Sequence, residues 1–475
     1  MAQQHLDRLS AVDASFLAQE SHTTHMHIGG IVLLEGPPPR IDEFLGHIGS
    51  RLHLVPRYRQ KLAIPPLDTG RPLWIDDPTF NLSFHVRHTA LPGPGSERAL
   101  LDLAGRIFSQ PLDRTKPLWE LWLVEGLESG GFAMLSKTHH AVVDGISGVD
   151  LTTVLFDLSP DEPSVRDPPT PWVSHPSPSS AQLAASGLLG AARAVVGVAS
   201  GTVGAATHPQ NLLARAREVV EGVGDVARMA VNAPPDTPFN VAPGPHRRIA
   251  IVRARLEDFK AIKDALGGTV NDVVLAVVAG ALGSFMRSRG RGTERIELRA
   301  CVPVSVRTSD QRGALGNQLT QMLAPLPISI EDPVERLERV VAAMSDLKSS
   351  KQALGAKAIA AAQGFAPPTV LAQASRMNFS DRFYNLLVTN VPGPQFPLHV
   401  LGRKLEAMFP VAFLAGDRAL AVAIMSYDGG MNFGLIGDYD ALPDLDTIAD
   451  GIRESLAELS LAAGIGLRVE RTLSG

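Results

Sequence analysis

Two hydrophobic periods alternate along this chain, and together they predict a protein of mixed α and β structure. Short apolar runs between turn residues predict strands at Gly29–Leu34, Trp119–Val124, Gly131–Lys137, Arg247–Ala254, Ile296–Ser305, Asn385–Val391 and Leu420–Ser426. Apolar residues at helical spacing predict helices at Ile41–Leu54, Glu97–Ser109, Ile146–Leu158, Leu256–Leu266, Asn271–Met286, Val334–Leu347 and Leu445–Leu461. Both element types occur early and late in the chain, so the expected fold class is α+β.

The middle of the chain has a different composition, which divides the sequence into two halves. Residues 157–180 are crowded with proline, serine and acidic side chains, as in linkers, and helical patterns follow at 181–206 and 209–231. We therefore predict an N-terminal domain at 1–163, a partly helical connector at 164–244 and a C-terminal domain at 245–475. Each domain is expected to hold a mixed β-sheet with flanking helices.

Composition narrows the class of protein further. With 475 residues, 45% of them hydrophobic, the chain can bury sizeable cores. Its formal net charge of −5 argues against nucleic acid as a partner, and its single cysteine, Cys301, allows no disulfide framework. The N-terminus lacks the pattern of a signal peptide, and the Ala/Gly-rich segment Leu183–Thr207 is too weakly apolar to span a membrane. We expect a cytoplasmic protein.

The chemistry is expected at His139 and His140, which follow a predicted strand and precede Asp144 and Gly145. A strand that feeds a turn and a helix places such side chains in a crevice, where a neutral imidazole can take a proton from a substrate hydroxyl or thiol. Asp144 could orient the imidazole or hold the loop through an arginine. Gly145 permits backbone conformations that other residues resist.

Other interpretations of the paired histidines stay open at this stage. Adjacent histidines at a strand end are often only hydrogen-bonded parts of the structure. A metal site is a further alternative, but the sequence has no His-Glu-x-x-His helix and no cysteine pair, so we predict no metal and no cofactor. The sequence also lacks a Gly-x-Ser-x-Gly nucleophile motif near the histidines, which favours direct attack by a bound substrate.

The pattern His-His-x-x-x-Asp-Gly resembles the signature of the CoA-dependent acyltransferase superfamily, whose members include chloramphenicol acetyltransferase and condensation domains. Further blocks resemble the bacterial wax ester synthase/acyl-CoA:diacylglycerol acyltransferase family, and they run in order through nearly the whole chain. These blocks are 9–17, 26–30, 117–120, 269–272, 303–307, 316–319, 389–394, 426–427 and 433–434. Between about 165 and 235 we recognise no motif.

The resemblance implies two chloramphenicol-acetyltransferase-like domains that form a tunnel at their interface, and esterification of a lipid alcohol by acyl-CoA. His140 is the implied general base, with His139 beside it, and Asp144 the implied structural aspartate. Asn271 is our candidate for the oxyanion donor, and its alternative role is a helix N-cap. Residues expected to bind substrate or hold the loop are Asp272, Arg307, Thr389 and Asn390.

Acyl-CoA and a lipid alcohol, either diacylglycerol or a long-chain fatty alcohol, are therefore the expected partners, with peripheral contact to a membrane or lipid droplet. The basic loop at 245–248 could meet the phosphates of CoA or could be a solvated turn. Two alternatives remain: acyl transfer from another thioester donor, such as a carrier protein, and a lipid-binding paralogue without turnover.

Overall fold

The computed structural model describes residues 7–66, 70–143, 154–161, 172–185, 235, 237–294, 296–305, 319–349 and 383–466. The strands are β1 Asp7–Arg8, β2 His27–Leu34, β3 Gln60–Ala63, β4 Leu73–Asp76, β5 Val86–Ala90, β6 Trp119–Glu125, β7 Phe132–His139, β8 Arg247–Arg255, β9 Leu298–Ser305, β10 Leu319–Leu326, β11 Leu386–Pro392, β12 His399–Val400, β13 Arg403–Val411, β14 Leu420–Tyr427 and β15 Gly430–Asp438. The helices are α1 Ala11–Gln19, α2 Ile41–Arg51, α3 Leu82–His85, α4 Glu97–Ser109, α5 His140–Val143, α6 Leu256–Leu266, α7 Val270–Ser288, α8 Pro333–Ser349 and α9 Leu445–Ala462.

Two six-stranded sheets organise the described residues. The first sheet has the order β12-β13-β2-β7-β6-β5, and only its β5–β6 pair is parallel. The second has the order β10-β9-β11-β14-β15-β8, with β11 parallel to both neighbours. A small sheet, β1-β4-β3, stands beside the first. The prediction of α+β halves, each with a mixed sheet and helices, is confirmed.

Strand β13 connects the two halves, because in sequence it lies between β11 and β14 of the second sheet but it pairs with β2 in the first sheet. One hydrophobic cluster accordingly includes Ile31 and Leu135 of the first sheet, Phe409 of β13, and Ile251 and Ala423 of the second sheet. A Cβ added at Gly434 of β15 would overlap the backbone carbonyl of Pro410, so the crossing strands pack without intervening side chains.

Helix α7 is the central helix of the second half, and most of its residues are buried. Among the described residues it is the one helix long and apolar enough to cross a membrane, but 78% of that apolar stretch is buried inside the protein. Its neighbours are α8, α9 and the second sheet, which share its hydrophobic core. Helix α7 is therefore a core helix.

The predicted elements correspond closely to the observed ones where the pattern is strong. Helices Glu97–Ser109 and Leu256–Leu266 have the predicted bounds. The helix predicted at Ile41–Leu54 is wrong in its last turn, where a 3-10 segment replaces it before Pro56.

Several predicted segments lie wholly or partly outside the described residues. These are most of the helix at Ile146–Leu158, the helix at 209–231 and the body of the connector. Of the helix predicted at 181–206, residues 181–185 are helical and the remainder is outside the described part.

Candidate active site

The paired histidines lie at a junction between strand and helix. His139 is the last residue of β7 and His140 the first of α5, which confirms the predicted position at a strand end. The backbone N–H of His139 donates to the Leu118 carbonyl at 3.0 Å, and that of His140 donates to the Met26 carbonyl at 2.8 Å. These two hydrogen bonds tie the junction to the segments that begin β6 and β2, so its backbone is fixed on both sides.

The imidazole of His140 is half-buried between two aromatic rings. It stacks on Phe16 of α1, with ring centroids 4.1 Å apart, and meets the edge of Phe413 at 5.6 Å. Phe16 and Phe413 are each only 7% exposed. Because Phe413 follows β13, the second half of the chain supplies one wall around the imidazole.

Glu20, directly after α1, is the polar centre beside the histidines. Its Oε1 lies 3.3 Å from Nε2 of His139 and 3.4 Å from Nε2 of His27, and it accepts the Met26 N–H at 3.2 Å. Its Oε2 accepts from both Nε, at 3.0 Å, and Nη2 of Arg114. Burial alone would raise the pKa of the Glu20 carboxyl, but contacts with His139 and His27 outweigh it and hold that pKa well below its usual range. Glu20 is therefore a carboxylate.

The orientation of His139 follows from its two ring nitrogens. Nδ1 accepts the backbone N–H of Ala141 at 3.0 Å, so in the neutral ring the proton resides on Nε2, which faces Glu20. The side chain is 1% exposed. His139 thus acts inside the structure, whereas His140 retains access to the surface.

Two further histidines lie beside Glu20 and His139. His27 is the first residue of β2, and His25 lies just before that strand. His27 is the register partner of His139, and its ring stacks on His25 with centroids 5.3 Å apart. Burial lowers the pKa of His27 to about 3, and burial, followed by the charge of Arg247, lowers that of His25. Both rings are therefore neutral at pH 7. Within the described residues no group of three His, Cys, Asp or Glu side chains could hold a metal ion.

The block Pro117-Leu118-Trp119-Glu120 has a structural explanation. Lys137 of β7 is fully buried and donates to the carbonyls of Ile107 at 2.9 Å and Gln110 at 3.0 Å, while Glu120 lies 3.4 Å from its Nζ. Burial lowers the pKa of Lys137. Glu120 therefore supplies the counter-charge for a buried lysine two residues before the junction of His139 and His140.

Asn271 and Asn390 meet in the second half of the molecule. Nδ2 of Asn390 donates to Oδ1 of Asn271 at 3.5 Å, and both residues, like Thr389, are half-buried. The alternative in which Asn271 is an N-cap is wrong, because Thr269 caps α7 and accepts the N–H of Asp272 at 3.3 Å. The Asp272 carboxylate accepts the Thr269 N–H at 2.9 Å and completes a capping box. A substrate contact by Asp272 stays a prediction.

Three further predicted residues, Asp144, Gly145 and Arg307, lie outside the described residues. Their assigned roles stay predictions. Glu20, Phe16 and Phe413 were missing from the predicted set. The one sequence signal near Glu20 is the run of alternating histidines at 22–27.

Comparison with known proteins agrees with this geometry. The catalytic domain of the wax ester synthase/diacylglycerol acyltransferase family matches residues 9–274, and the C-terminal domain of that family matches residues 315–460. The chain belongs to this family. Among its relatives is a Mycobacterium tuberculosis protein named as a diacylglycerol O-acyltransferase, 36% identical over 96% of this chain and 90% of that protein.

Solved structures agree with the family assignment. The wax ester synthase/diacylglycerol acyltransferase of Marinobacter aquaeolei VT8 superposes with a TM-score of 0.67 at 29% identity, covering 96% of this chain and 100% of that one. A starter condensation domain of rhizomide synthetase shares the fold, with a TM-score of 0.57 at 14% identity over 97% of this chain and 94% of that one. The predicted family, fold and acyltransferase class are thereby confirmed.

Proposed function

We propose that this protein transfers a fatty acyl group from long-chain acyl-CoA to the hydroxyl of a lipid alcohol and releases CoA. Diacylglycerol is the proposed acceptor, with long-chain fatty alcohol as a second one, so the products are triacylglycerol and wax ester. The observation that carries the proposal is the half-buried imidazole of His140, held at a fixed junction between Phe16 and Phe413. The relatives named for the same chemistry support it.

His140 acts as the general base in this scheme. Its imidazole takes the proton of the acceptor hydroxyl while the oxygen attacks the thioester carbonyl. The tetrahedral intermediate then collapses, the C–S bond breaks, and the CoA thiolate takes the proton from the imidazolium. Phe16 and Phe413 exclude water around the ring, which favours transfer to the alcohol over hydrolysis.

The oxyanion of that intermediate needs fixed donors, and Asn271 is the proposed one. Its Oδ1 accepts from Asn390, so its Nδ2 donor points the other way and is held there. Loss of one oxyanion donor costs about 2.7–4 kcal/mol of transition-state stabilisation in other enzymes. Asn390 then acts as a positioning residue for Asn271.

We place the enzyme in the cytoplasm, in peripheral contact with a membrane or lipid droplet, because its acceptor is not soluble in water. Recovery of the protein with diacylglycerol-containing vesicles on flotation tests this location, and recovery only in the protein-free fraction contradicts it.

The central test replaces the proposed base. His140→Ala should lower ester formation from acyl-CoA and diacylglycerol on the order of 10²–10⁴-fold, the usual contribution of a general base. His88→Ala is the matched control, because His88 is a 37%-exposed histidine on β5 whose nearest partner is Glu125 at 3.4 Å. Ester mass and thiol release are measured together, and urea unfolding confirms that both variants fold.

A His140→Ala protein that folds and turns over within a few-fold of wild type excludes His140 as the base. Binding of lipid with no release of CoA from acyl-CoA, whichever acceptor is supplied, excludes the acyltransferase activity as a whole. Turnover of an acyl carrier protein thioester but not of acyl-CoA excludes the proposed donor.

A further inference from the structure

A basic cleft of about 780 Å³ lies where α4 meets the start of β8. This volume is within the range of small-molecule binding sites. Its lining combines residues along the length of α4, from Arg98 to Ser109, with the loop that leads into β8 and with Tyr439, which follows β15. The charged residues in the lining are Arg98, Asp102, Arg106, Arg247 and Arg248. A concentration of guanidinium groups is notable in a chain with a net charge of −5.

Two of these arginines already have acidic partners. Arg98 pairs with Asp102 at 3.1 Å and with Asp446 at 2.7 Å. Arg247 is buried, donates to the carbonyls of Gly244 and Thr23, and lies 3.9 Å from Asp438.

Arg106 and Arg248 supply the uncompensated positive charge of the cleft. Arg106 is exposed, and among the described residues no carboxylate pairs with Arg106 or Arg248. The Arg248 guanidinium lies 3.7 Å above the Tyr439 ring, and its Nε donates to the Tyr439 carbonyl at 3.0 Å. This contact holds a flat cationic surface at the mouth of the cleft.

The walls of the cleft are rigid. A Cβ at Gly105 would lie 2.7 Å from the carbonyl oxygen of Arg247, so glycine allows α4 to lie directly against β8. The Ser109 hydroxyl accepts the Arg247 N–H at 2.9 Å and donates to the Gly105 carbonyl at 2.6 Å. The negative end of α4 would repel an anion, but the Lys137 ammonium occupies its Ile107 and Gln110 carbonyls.

We propose that this cleft binds the 3′-phosphoadenosine diphosphate end of acyl-CoA, an inference that rests on the proposed function. Arg106 and Arg248 contact the phosphates, and the adenine ring stacks on the guanidinium held by Tyr439. The floor of the cleft adjoins the active site, because Gln110 bonds Lys137, two residues before His139, and Arg247 bonds Thr23, between Glu20 and His25. The flexible pantetheine arm then reaches from the cleft toward His140.

The first measurement is direct binding, with no turnover involved. Adenosine 3′,5′-bisphosphate is titrated calorimetrically into the full chain, the Arg106→Ala/Arg248→Ala double variant and Arg339→Ala. Removing two partly exposed charge contacts should raise its Kd about tenfold and remove most of its dependence on salt. Arg339 is the matched control, because it lies on α8, is 58% exposed and is 3.7 Å from Glu297. Its variant should bind like wild type.

The second measurement is the ratio of kcat/KM for acyl-CoA to that for acyl-pantetheine, which lacks the nucleotide. This ratio should fall about tenfold in the double variant and stay constant in Arg339→Ala. An unchanged ratio with unchanged bisphosphate affinity overturns the proposal while leaving the acyltransferase activity intact.

Two further results separate this proposal from its alternatives. If the double variant binds phosphatidic acid vesicles more weakly than wild type but binds acyl-CoA equally well, the cleft is assigned to a lipid phosphate. That result also overturns the proposal. In the last case, the wild-type protein binds the bisphosphate, the double variant does not, and the wild-type protein esterifies no acceptor. That result supports the nucleotide-binding cleft and refutes the proposed function.

Discussion

Replacing Glu20 by glutamine tests whether this carboxylate holds the active site together. As a carboxylate, Glu20 faces donors on both oxygens: Met26 N–H and two histidine nitrogens at Oε1, and the Arg114 guanidinium at Oε2. The glutamine amide has one acceptor oxygen and one NH₂ group. Whichever way the amide turns, its NH₂ group faces donors, so one side of the network is broken.

The expected loss in the free energy of unfolding follows from how deeply the partners of each Glu20 oxygen are buried. The Glu20 side chain is 11% exposed and the imidazoles of His27 and His139 are 3% and 1% exposed, whereas Arg114 is 45% exposed. Charge-assisted hydrogen bonds contribute about 1.5–3 kcal/mol each in buried settings, and the exposed Arg114 side is worth less. We therefore expect Glu20→Gln to lower the free energy of unfolding by about 2 kcal/mol.

Activity should fall as well, because Glu20 holds the Met26 backbone and the Met26 carbonyl holds the His140 N–H. A small displacement of His140, the proposed base, should cost roughly tenfold to a hundredfold in rate. The expected loss is in kcat, with KM for acyl-CoA near its wild-type value.

The assay combines urea unfolding, followed by tryptophan fluorescence, with initial rates of ester formation. Glu125→Gln is the matched control, because Glu125 is 39% exposed and lies 3.4 Å from His88, also an acid–histidine pair. If Glu20→Gln unfolds at the same urea concentration as Glu125→Gln and has the same kcat, the central role of Glu20 is refuted.

Two further outcomes follow from burial and close packing. The pKa of His27 is about 3 in the folded protein and 6.5 when unperturbed, so only the unfolded state binds its proton as the pH falls below 6.5. The free energy of unfolding therefore falls between pH 6.5 and 3, by about 2 kcal/mol at pH 5. In urea titrations, the loss of stability between pH 7 and 5 should be smaller by about 2 kcal/mol in His27→Gln than in wild type. Equal losses in the two proteins contradict this prediction. A Cβ at Gly29 would overlap the Ser136 carbonyl oxygen, so Gly29→Ala should destabilise the protein by about 3 kcal/mol, whereas Gly46→Ala, with open space in α2, should stabilise it slightly. Matching unfolding curves for these two variants rule out the clash.

Local patterns in the sequence were sufficient for the strongly patterned strands and helices and for the position of the paired histidines. The apolar run Phe132–Leu135 identifies a buried strand, and the helical spacing of apolar residues in α4 identifies its buried face. Both signals come from residues that are close together in the sequence. Strand β13 was not predicted. Its burial alternates, but Pro410 and charged residues at its start obscure the pattern. Its pairing with β2 joins distant parts of the chain, and periodicity carries no information on such partners.

The polar centre of the site was missed for the same reason. Glu20 follows a helix and precedes polar residues, so along the sequence it resembles any surface glutamate. Only the pairing of β2 with β7 brings His27 opposite His139 and places Glu20 between them. The position of Asn271 near the start of a helix was predicted from the sequence. Thr269 is the N-cap of that helix and forms a capping box with Asp272, so the Asn271 side chain is available to accept a hydrogen bond from Asn390.

Because β13 passes from the second half of the chain into the first sheet, the proposed active site requires residues from both halves. Without β13, strand β2 would be an unpaired edge with its buried apolar row, Ile31–Leu34, open to other chains. The imidazole of His140 would also lose Phe413 and with it one wall against water. The two sides of the proposed active site therefore form together, because β13 pairs with β2 in the first sheet and leads to Phe413, which contacts His140. The predicted boundary at residue 163 marks a change in composition, while the contacts that complete the site come from beyond residue 400.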